Sequence, residues 1–288
     1  MSIVYLNGNY LPMEEAKISP LDRGFLFGEG IYEVIPSYSG KLVGFVPHIN
    51  RMIDGLQAVD IALDYSHQQW RDIAQALIEK NAGDAGDNLG IYVHVSRGAD
   101  SQRSHIYRDN MNATVFAYAF TIPPEPMANR NNVKPYTVST AQDLRWKRCH
   151  IKSTALLGNV MHLQQGHKEG NGETILYNER GEITEGCAVN VFIVKNGKVI
   201  TPPLDGQILP GITRLLLLDI LRQDGTIPVE ERVVTMDEIQ TADEVWISSS
   251  SKEIAPVIAV DGKPIGDGEV GEVWEKAQAL FSQHKYDY

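Results

Sequence analysis

Four dipeptides that turn a chain back on itself, Asn7-Gly8, Ser39-Gly40, Asn196-Gly197 and Asp261-Gly262, constrain this 288-residue chain more than any other feature. Residue pairs of this kind tolerate positive φ and close two-residue antiparallel hairpins between the apolar runs that flank them. Val4 to Pro12, Ile31 to Ile35, Val189 to Val194 and Lys198 to Ile200 therefore read as strands. Ile91 to Arg97 and Ala113 to Phe120 add two more, rich in β-branched and aromatic residues. From His48 the period changes. Ile49, Met52, Ile53 and Leu56 fit one helical face, and Trp70, Ile73, Ala74, Leu77 and Ile78 fit another. The expectation is antiparallel sheet covered by amphipathic helices, in an α+β or α/β chain.

The length suggests two domains. Thr121 to Asn132 holds three prolines in a short span and is placed as the linker, with one domain over 1–120 and the other over 133–288. The second domain opens with strands at Glu173 to Tyr177 and Glu182 to Gly186. A helix over Leu215 to Arg222 has Gly225 behind it, and an amphipathic helix carrying Val273, Trp274, Ala277, Leu280 and Phe281 ends the chain. A formal charge of −11 with no basic stripe argues against nucleic acid and against anionic lipid. The start lacks a signal-like segment and no apolar run reaches membrane-spanning length, so a cytoplasmic protein with no membrane partner is expected. Cys149 and Cys187 form no disulfide framework and no metal-ligand spacing, and read as reduced thiols.

Chemistry-bearing candidates lie along the whole chain. Asp143 to Lys152 reads as a strand-like run that puts Cys149 and Ile151 on one side and His150 and Lys152 on the other. Ser153 or Thr154 then caps a helix with Leu156, Val160 and Leu163 on its apolar face, ended by Gly170. Lys152 would sit at the mouth of that helix, where a lysine in a site of low dielectric can offer a free amine to an aldehyde. Arg51 falls close to a helix start, a poor place for a cation unless an anion binds there. Arg103 and His105, in the long polar loop Gly98 to Asn112, point the same way if extended and together suit a carboxylate. Glu185 stands at a tight Glu-Gly turn. Gly211, Ile212 and Thr213 open a helix whose N–H groups suit a phosphate, and Ser248 to Ser251 set a row of hydroxyls at a strand end. Taken singly, Lys152, Arg51 and Glu185 read as ordinary surface residues, and the Arg103–His105 loop reads as well as a solvated loop. Taken together, a lysine, a carboxylate and several anion-binding groups are what pyridoxal phosphate requires.

The order and spacing of these fragments resemble the fold-type IV pyridoxal-phosphate enzymes, and within them the D-amino-acid aminotransferases. The likeness runs essentially end to end. It is carried by Asp22 to Glu33, His48-Ile-Asn-Arg51, Arg103-Ser-His105, Arg145 to Ser153, Thr184-Glu-Gly186 with Asn190-Val-Phe192, Gly211-Ile-Thr-Arg214, and Ser249 to Val257. The resemblance implies two domains, an antiparallel sheet with helices followed by a barrel-like mixed sheet with helices. It implies that Lys152 joins the cofactor's aldehyde and moves the substrate's α-proton, and that Glu185 partners the pyridine nitrogen. Arg51, Ile212, Thr213, Ser249 and Ser250 would hold the phosphate, and Leu209 would pack on the ring. Tyr32, Arg103 and His105 would hold the substrate carboxylate, with Arg103 and His105 coming from the neighbouring subunit of a homodimer. The implied reaction is transamination of D-alanine with 2-oxoglutarate. Branched-chain L-amino-acid aminotransferases and aminodeoxychorismate lyase share the fold and stay open as alternatives. Cys187-Ala188-Val189 departs from the serine-rich run of the family at that point, which bears on substrate preference.

Overall fold

The computed structural model describes residues 2–83 and 88–288. It divides into two compact units: Met1–Pro124 with Ile151–Leu156 and Tyr288 form one, and Glu125–His150 with Leu157–Asp287 form the other. The hexapeptide around Lys152 thus groups with the first unit, although its sequence neighbours on both sides group with the second.

In the first unit the elements are β1 (Ile3–Leu6), β2 (Asn9–Pro12), α1 (Arg23–Phe27), β3 (Gly30–Tyr38), β4 (Lys41–Leu42), α2 (Phe45–Ala58), α3 (His67–Asn81), β5 (Asn88–Ser96) and β6 (Thr114–Thr121). The strands form one antiparallel sheet in the order β2-β1-β6-β5-β3-β4. At the β1–β2 and β3–β4 turns, Asn7, Gly8, Ser39 and Gly40 all have positive φ, as two-residue hairpins of this hand require. Ile49, Met52 and Leu56 of α2 and Trp70, Ile73, Ala74, Leu77 and Ile78 of α3 pack in one core with Ile31, Ile35, Ile91, Val93, Val95, Val115 and Ala117 of the sheet. Ser66 caps α3 in a capping box with Gln69. Ile151 is buried in the same core and anchors the lysine segment to it.

The second unit contains β7 (Tyr136–Gln142), α4 (Leu157–Lys168), β8 (Glu173–Tyr177), β9 (Ile183–Gly186), β10 (Asn190–Lys195), β11 (Lys198–Thr201), α5 (Ile212–Asp224), β12 (Val229–Glu231), α6 (Met236–Gln240), β13 (Glu244–Ser249), β14 (Glu253–Val260), β15 (Lys263–Pro264) and α7 (Glu272–His284). Its sheet runs β12-β11-β10-β13-β14-β7-β8-β9, with β15 on β14, and mixes parallel and antiparallel pairs. The Gly186 N–H at the end of β9 donates to Val189 O just before β10 at 2.7 Å, so the sheet curls until its edge strand meets an interior one. This is the barrel-like mixed sheet expected.

Several local expectations are corrected. Residues 143–152 form no strand but an irregular stretch, because the Cys149 N–H is taken by Gly206 O rather than by a strand ladder. The helix after Lys152 begins at Leu157, beyond Ser153 and Thr154, since the Thr154 N–H and hydroxyl are bound to the carbonyls of Gly30 and Gly28 in the first unit. Of the expected apolar face, Leu156 lies before α4 and is half-buried, Leu163 is half-buried and Val160 is 56% exposed, while Leu157 and Met161, outside that face, stand 73% and 65% exposed. Arg51 lies in the middle of α2, not near its start, and the helix dipole does not bear on it.

Candidate active site

Lys152 is seated on β3. The Tyr32 N–H donates to the Lys152 carbonyl at 3.1 Å, and Ser153 bridges Ile31, so the segment runs beside the strand as a short extra rung. The Lys152 Nζ stands 4.2 Å from the centroid of the Tyr32 ring, which faces it with π electrons. Behind Tyr32, Tyr92 stacks at 5.7 Å, and its hydroxyl meets His94 Nδ1 at 3.2 Å. Among the described residues, then, two of the predicted candidates, Lys152 and Tyr32, are in direct contact.

Arg51 is held by a residue to which the sequence reading gave no role. Glu33 accepts from Arg51 Nε and Nη2, both at 2.7 Å, and meets His48 Nδ1 at 2.7 Å. Burial opposes ionisation of Glu33, but Arg51 and His48 overcome it and hold the carboxyl at about 2. Burial also lowers His48, against the pull of Glu33. The available signal was a single acidic residue in an otherwise apolar and aromatic strand, because a carboxylate is rarely buried without a partner.

Arg103 and His105 rest on one ring. The Arg103 guanidinium lies 5.2 Å and the His105 ring 5.4 Å from Phe27. Both are exposed, and no hydrogen bond or ion pair joins either to Tyr32 or Lys152 among the described residues. Their loop is clamped from below. Buried Arg23 donates to Ser104 O at 2.5 Å and to His105 O at 3.2 Å while pairing with Glu29. Arg23 was legible in the sequence only as part of a glycine-rich stretch.

In the second unit Glu185 is the penultimate residue of β9 rather than a turn residue. Its Oε1 accepts from Arg145 Nη1 at 2.7 Å and its Oε2 from the Leu209 N–H at 2.9 Å. Asp143 holds the other edge of Arg145 at 2.8 Å. Burial pushes the Glu185 carboxyl above the usual carboxylate range, against Arg145 and the Leu209 amide. The irregular run 143–152 thus serves to deliver Arg145. Leu209 is half-buried and is fixed from its carbonyl by Asn190 Nδ2 at 2.9 Å.

The start of α5 has the features of an anion cup. Its N-cap is Gly211, so no side chain caps Ile212 and Thr213, whose N–H groups lie in the first turn where a helix supplies no acceptor. A Cβ on Gly211 would fall 1.9 Å from Asn190 Oδ1, so only glycine fits there. Asn190 pairs in register with Ser248 of β13, whose buried Oγ has no partner. Ser249 ends β13, and Ser250 lies in the ordered turn into β14. Uncapped N–H groups, a glycine-only approach and an orphaned hydroxyl fit the phosphate of pyridoxal phosphate. Cys187 and Cys149 are buried free thiols, pushed by burial up to about 12 and about 11 respectively. No metal-binding cluster and no helix long and apolar enough to cross a membrane occur among the described residues.

Comparison with known proteins shows the family. The family of class IV amino-transferases matches residues 30–260. The D-alanine aminotransferase of Staphylococcus haemolyticus is 36% identical over 287 residues, covering 99% of this chain and 98% of that protein. That of Listeria monocytogenes serotype 1/2a is 35% identical over 281 residues, covering 96% and 94%. Among solved structures, the Escherichia coli branched-chain amino acid aminotransferase superposes with a TM-score of 0.88 at 24% identity, covering 98% of this chain and 93% of that one. A hypothetical aminotransferase from Mycobacterium tuberculosis in its PLP-bound form does so with 0.84 at 18%, covering 97% of each. These two likenesses speak to the fold alone. A family match over most of the chain, joined to full-length relatives above 30% identity, leaves one assignment: the chain belongs to the class IV aminotransferases.

Proposed function

We propose that this protein is a pyridoxal-phosphate-dependent aminotransferase of D-amino acids, converting D-alanine and 2-oxoglutarate to pyruvate and D-glutamate as a cytoplasmic homodimer. The observation that carries the reading is the Lys152 ammonium seated on the Tyr32 ring in a chain that matches D-alanine aminotransferases along nearly its whole length.

Pyridoxal phosphate, when bound, supplies an electron-withdrawing ring that stabilises negative charge at the substrate's α-carbon. Lys152 would take the substrate's α-proton and give a proton back at the cofactor's C4′ carbon, serving as base and then acid. Glu185, kept in place by Arg145 and the Leu209 amide, would hold the proton at the ring nitrogen. Leu209 would pack on the ring. Ile212 and Thr213 N–H groups, the hydroxyls of Ser249 and Ser250, and Arg51 neutralise the phosphate, and Glu33 keeps the Arg51 guanidinium fixed for that role.

Tyr32, Arg103 and His105 hold the α-carboxylate and thereby decide which face of the α-carbon meets Lys152. That Arg103 and His105 are exposed and unbonded to Tyr32 within one chain supports their serving a neighbouring subunit. The exposed Leu157, Val160 and Met161 of α4 support a second copy as the cover.

The test is to add D-alanine and L-alanine separately to the cofactor-loaded protein and follow its visible absorption band. D-alanine should bleach the band far faster. Equal rates, or a preference for L-leucine, would move the activity to the branched-chain L-amino-acid branch; pyruvate release from aminodeoxychorismate without a keto-acid acceptor would move it to the lyase.

A further inference from the structure

Glu253 begins β14 with φ +51°, directly across from Ser249, the last residue of β13. Only Ser250, Ser251 and Lys252 separate the two, and the Lys252 N–H reaches Ser249 O and Ser249 Oγ, each at 3.3 Å. The residue that closes such a three-residue hairpin is left-handed, where glycine is easiest and a side chain is disfavoured. A glutamate there points to a task for its side chain.

That side chain is buried and fully engaged. Its Oε1 accepts from Lys285 Nζ, and its Oε2 accepts from Gln278 Nε2 at 2.8 Å. Both donors are 0% exposed and belong to the end of the chain, Gln278 within α7 and Lys285 just past it. The next residue is gripped as well: Trp274 Nε1 of α7 donates to Ile254 O at 3.0 Å in the interior. Lys285 also meets Glu125 at 3.0 Å, so one buried cation serves two carboxylates. Without Lys285 the buried Glu253 carboxylate would lose its counter-charge and keep only the neutral Gln278 amide.

We propose that Lys285 and Gln278, acting through Glu253, set the conformation of the Ser249–Ser250 turn, so that the end of the chain governs affinity for the cofactor's phosphate. Lys285 is a positioning residue and touches no ligand. The proposal rests on the assignment of that turn to the phosphate, and its test separates the two.

Full-length protein freed of cofactor is titrated with pyridoxal phosphate and, separately, with pyridoxal, which carries the same aldehyde but no phosphate. Lys285→Met should weaken pyridoxal phosphate roughly tenfold while changing pyridoxal less than about twofold, because only the phosphate senses the turn. Glu253→Gly relieves the backbone strain, removes the buried carboxylate and should still produce the same selective loss. It decides the matter if Lys285→Met does not fold. A folded Glu253→Gly with the wild-type ratio of the two affinities would overturn the proposal, as would equal losses for both ligands, the mark of general destabilisation. Wild-type protein that binds both ligands equally and is not competed by inorganic phosphate would remove the phosphate reading and this proposal with it.

Discussion

Arg103 lies with its guanidinium over Phe27 and its loop clamped by Arg23, so its position does not depend on the phosphate groups. Arg103→Leu should therefore slow the single-turnover reaction with D-alanine by roughly 1.5–3 kcal/mol, the worth of a charge-assisted contact. Cofactor affinity and the reaction with an amine lacking a carboxylate should stay near wild type. Equal rates for wild type and variant with D-alanine would make the loop idle. Glu33 supports a different measurement. Its ordinary value of 4.5 is lowered to about 2 in the folded chain, so the stability it contributes is complete above 4.5 and is lost as pH falls through 2. The magnitude is about 3 kcal/mol. Urea unfolding at pH 6 and pH 3 should show Glu33→Gln less stable than wild type at the higher pH, with much of that difference gone at the lower one. An unchanged difference would mean that Glu33 is not ionised in the fold. Both residues were visible as letters, but Glu33 acquires its role only because β3 and α2 pack with Glu33 facing His48 and Arg51.

The start of α5 works as an element because its N-cap carries no side chain. Gly211→Ala would press a Cβ against Asn190 Oδ1, and relief means moving either the helix start or Asn190, which fixes Leu209 O. We expect roughly 1–3 kcal/mol of lost pyridoxal phosphate binding by titration, while Gly197→Ala, with open space at its Cβ, should leave that binding alone. Comparable loss from both would remove the special status of Gly211. The paired glycines illustrate two uses of one residue. Gly197 is read from local chemistry, since Asn196-Gly197 needs positive φ at both positions. Gly211 has an ordinary φ of −63°, and what demands glycine is the approach of Asn190 from β10. The α4 helix makes the converse point: the period placed Leu156, Val160 and Leu163 on one face, but the helix starts only at Leu157 and its exposed apolar residues are Leu157, Val160 and Met161, because periodicity does not say where a helix begins or what covers it.

For the molecule as a whole, sedimentation at micromolar concentration should give twice the chain's mass, and Val160→Glu on the exposed face of α4 should weaken that association roughly tenfold or more by placing a charge in an apolar contact. Monomeric wild-type protein would remove the homodimer. The first sheet, the hairpins and the helices over that sheet followed from the sequence, because turn dipeptides and apolar period act over a few residues and need no partner to be read, whereas the parallel strands β7 and β12 of the second sheet carried no such local signal. The candidate residues were likewise legible as types at spacings, once their joint order was matched to a family. Tertiary structure alone decided the rest. It assigned Ile151–Leu156 to the first unit, because Ile151 is buried in that core and Thr154 bonds to Gly28 and Gly30. It paired Arg51 with Glu33, Arg145 with Glu185 and Lys285 with Glu253, partners separated by 18, 40 and 32 positions. A buried charge is tolerated only beside its complement, and which complement arrives is set by how the sheets and helices pack, which no local pattern encodes.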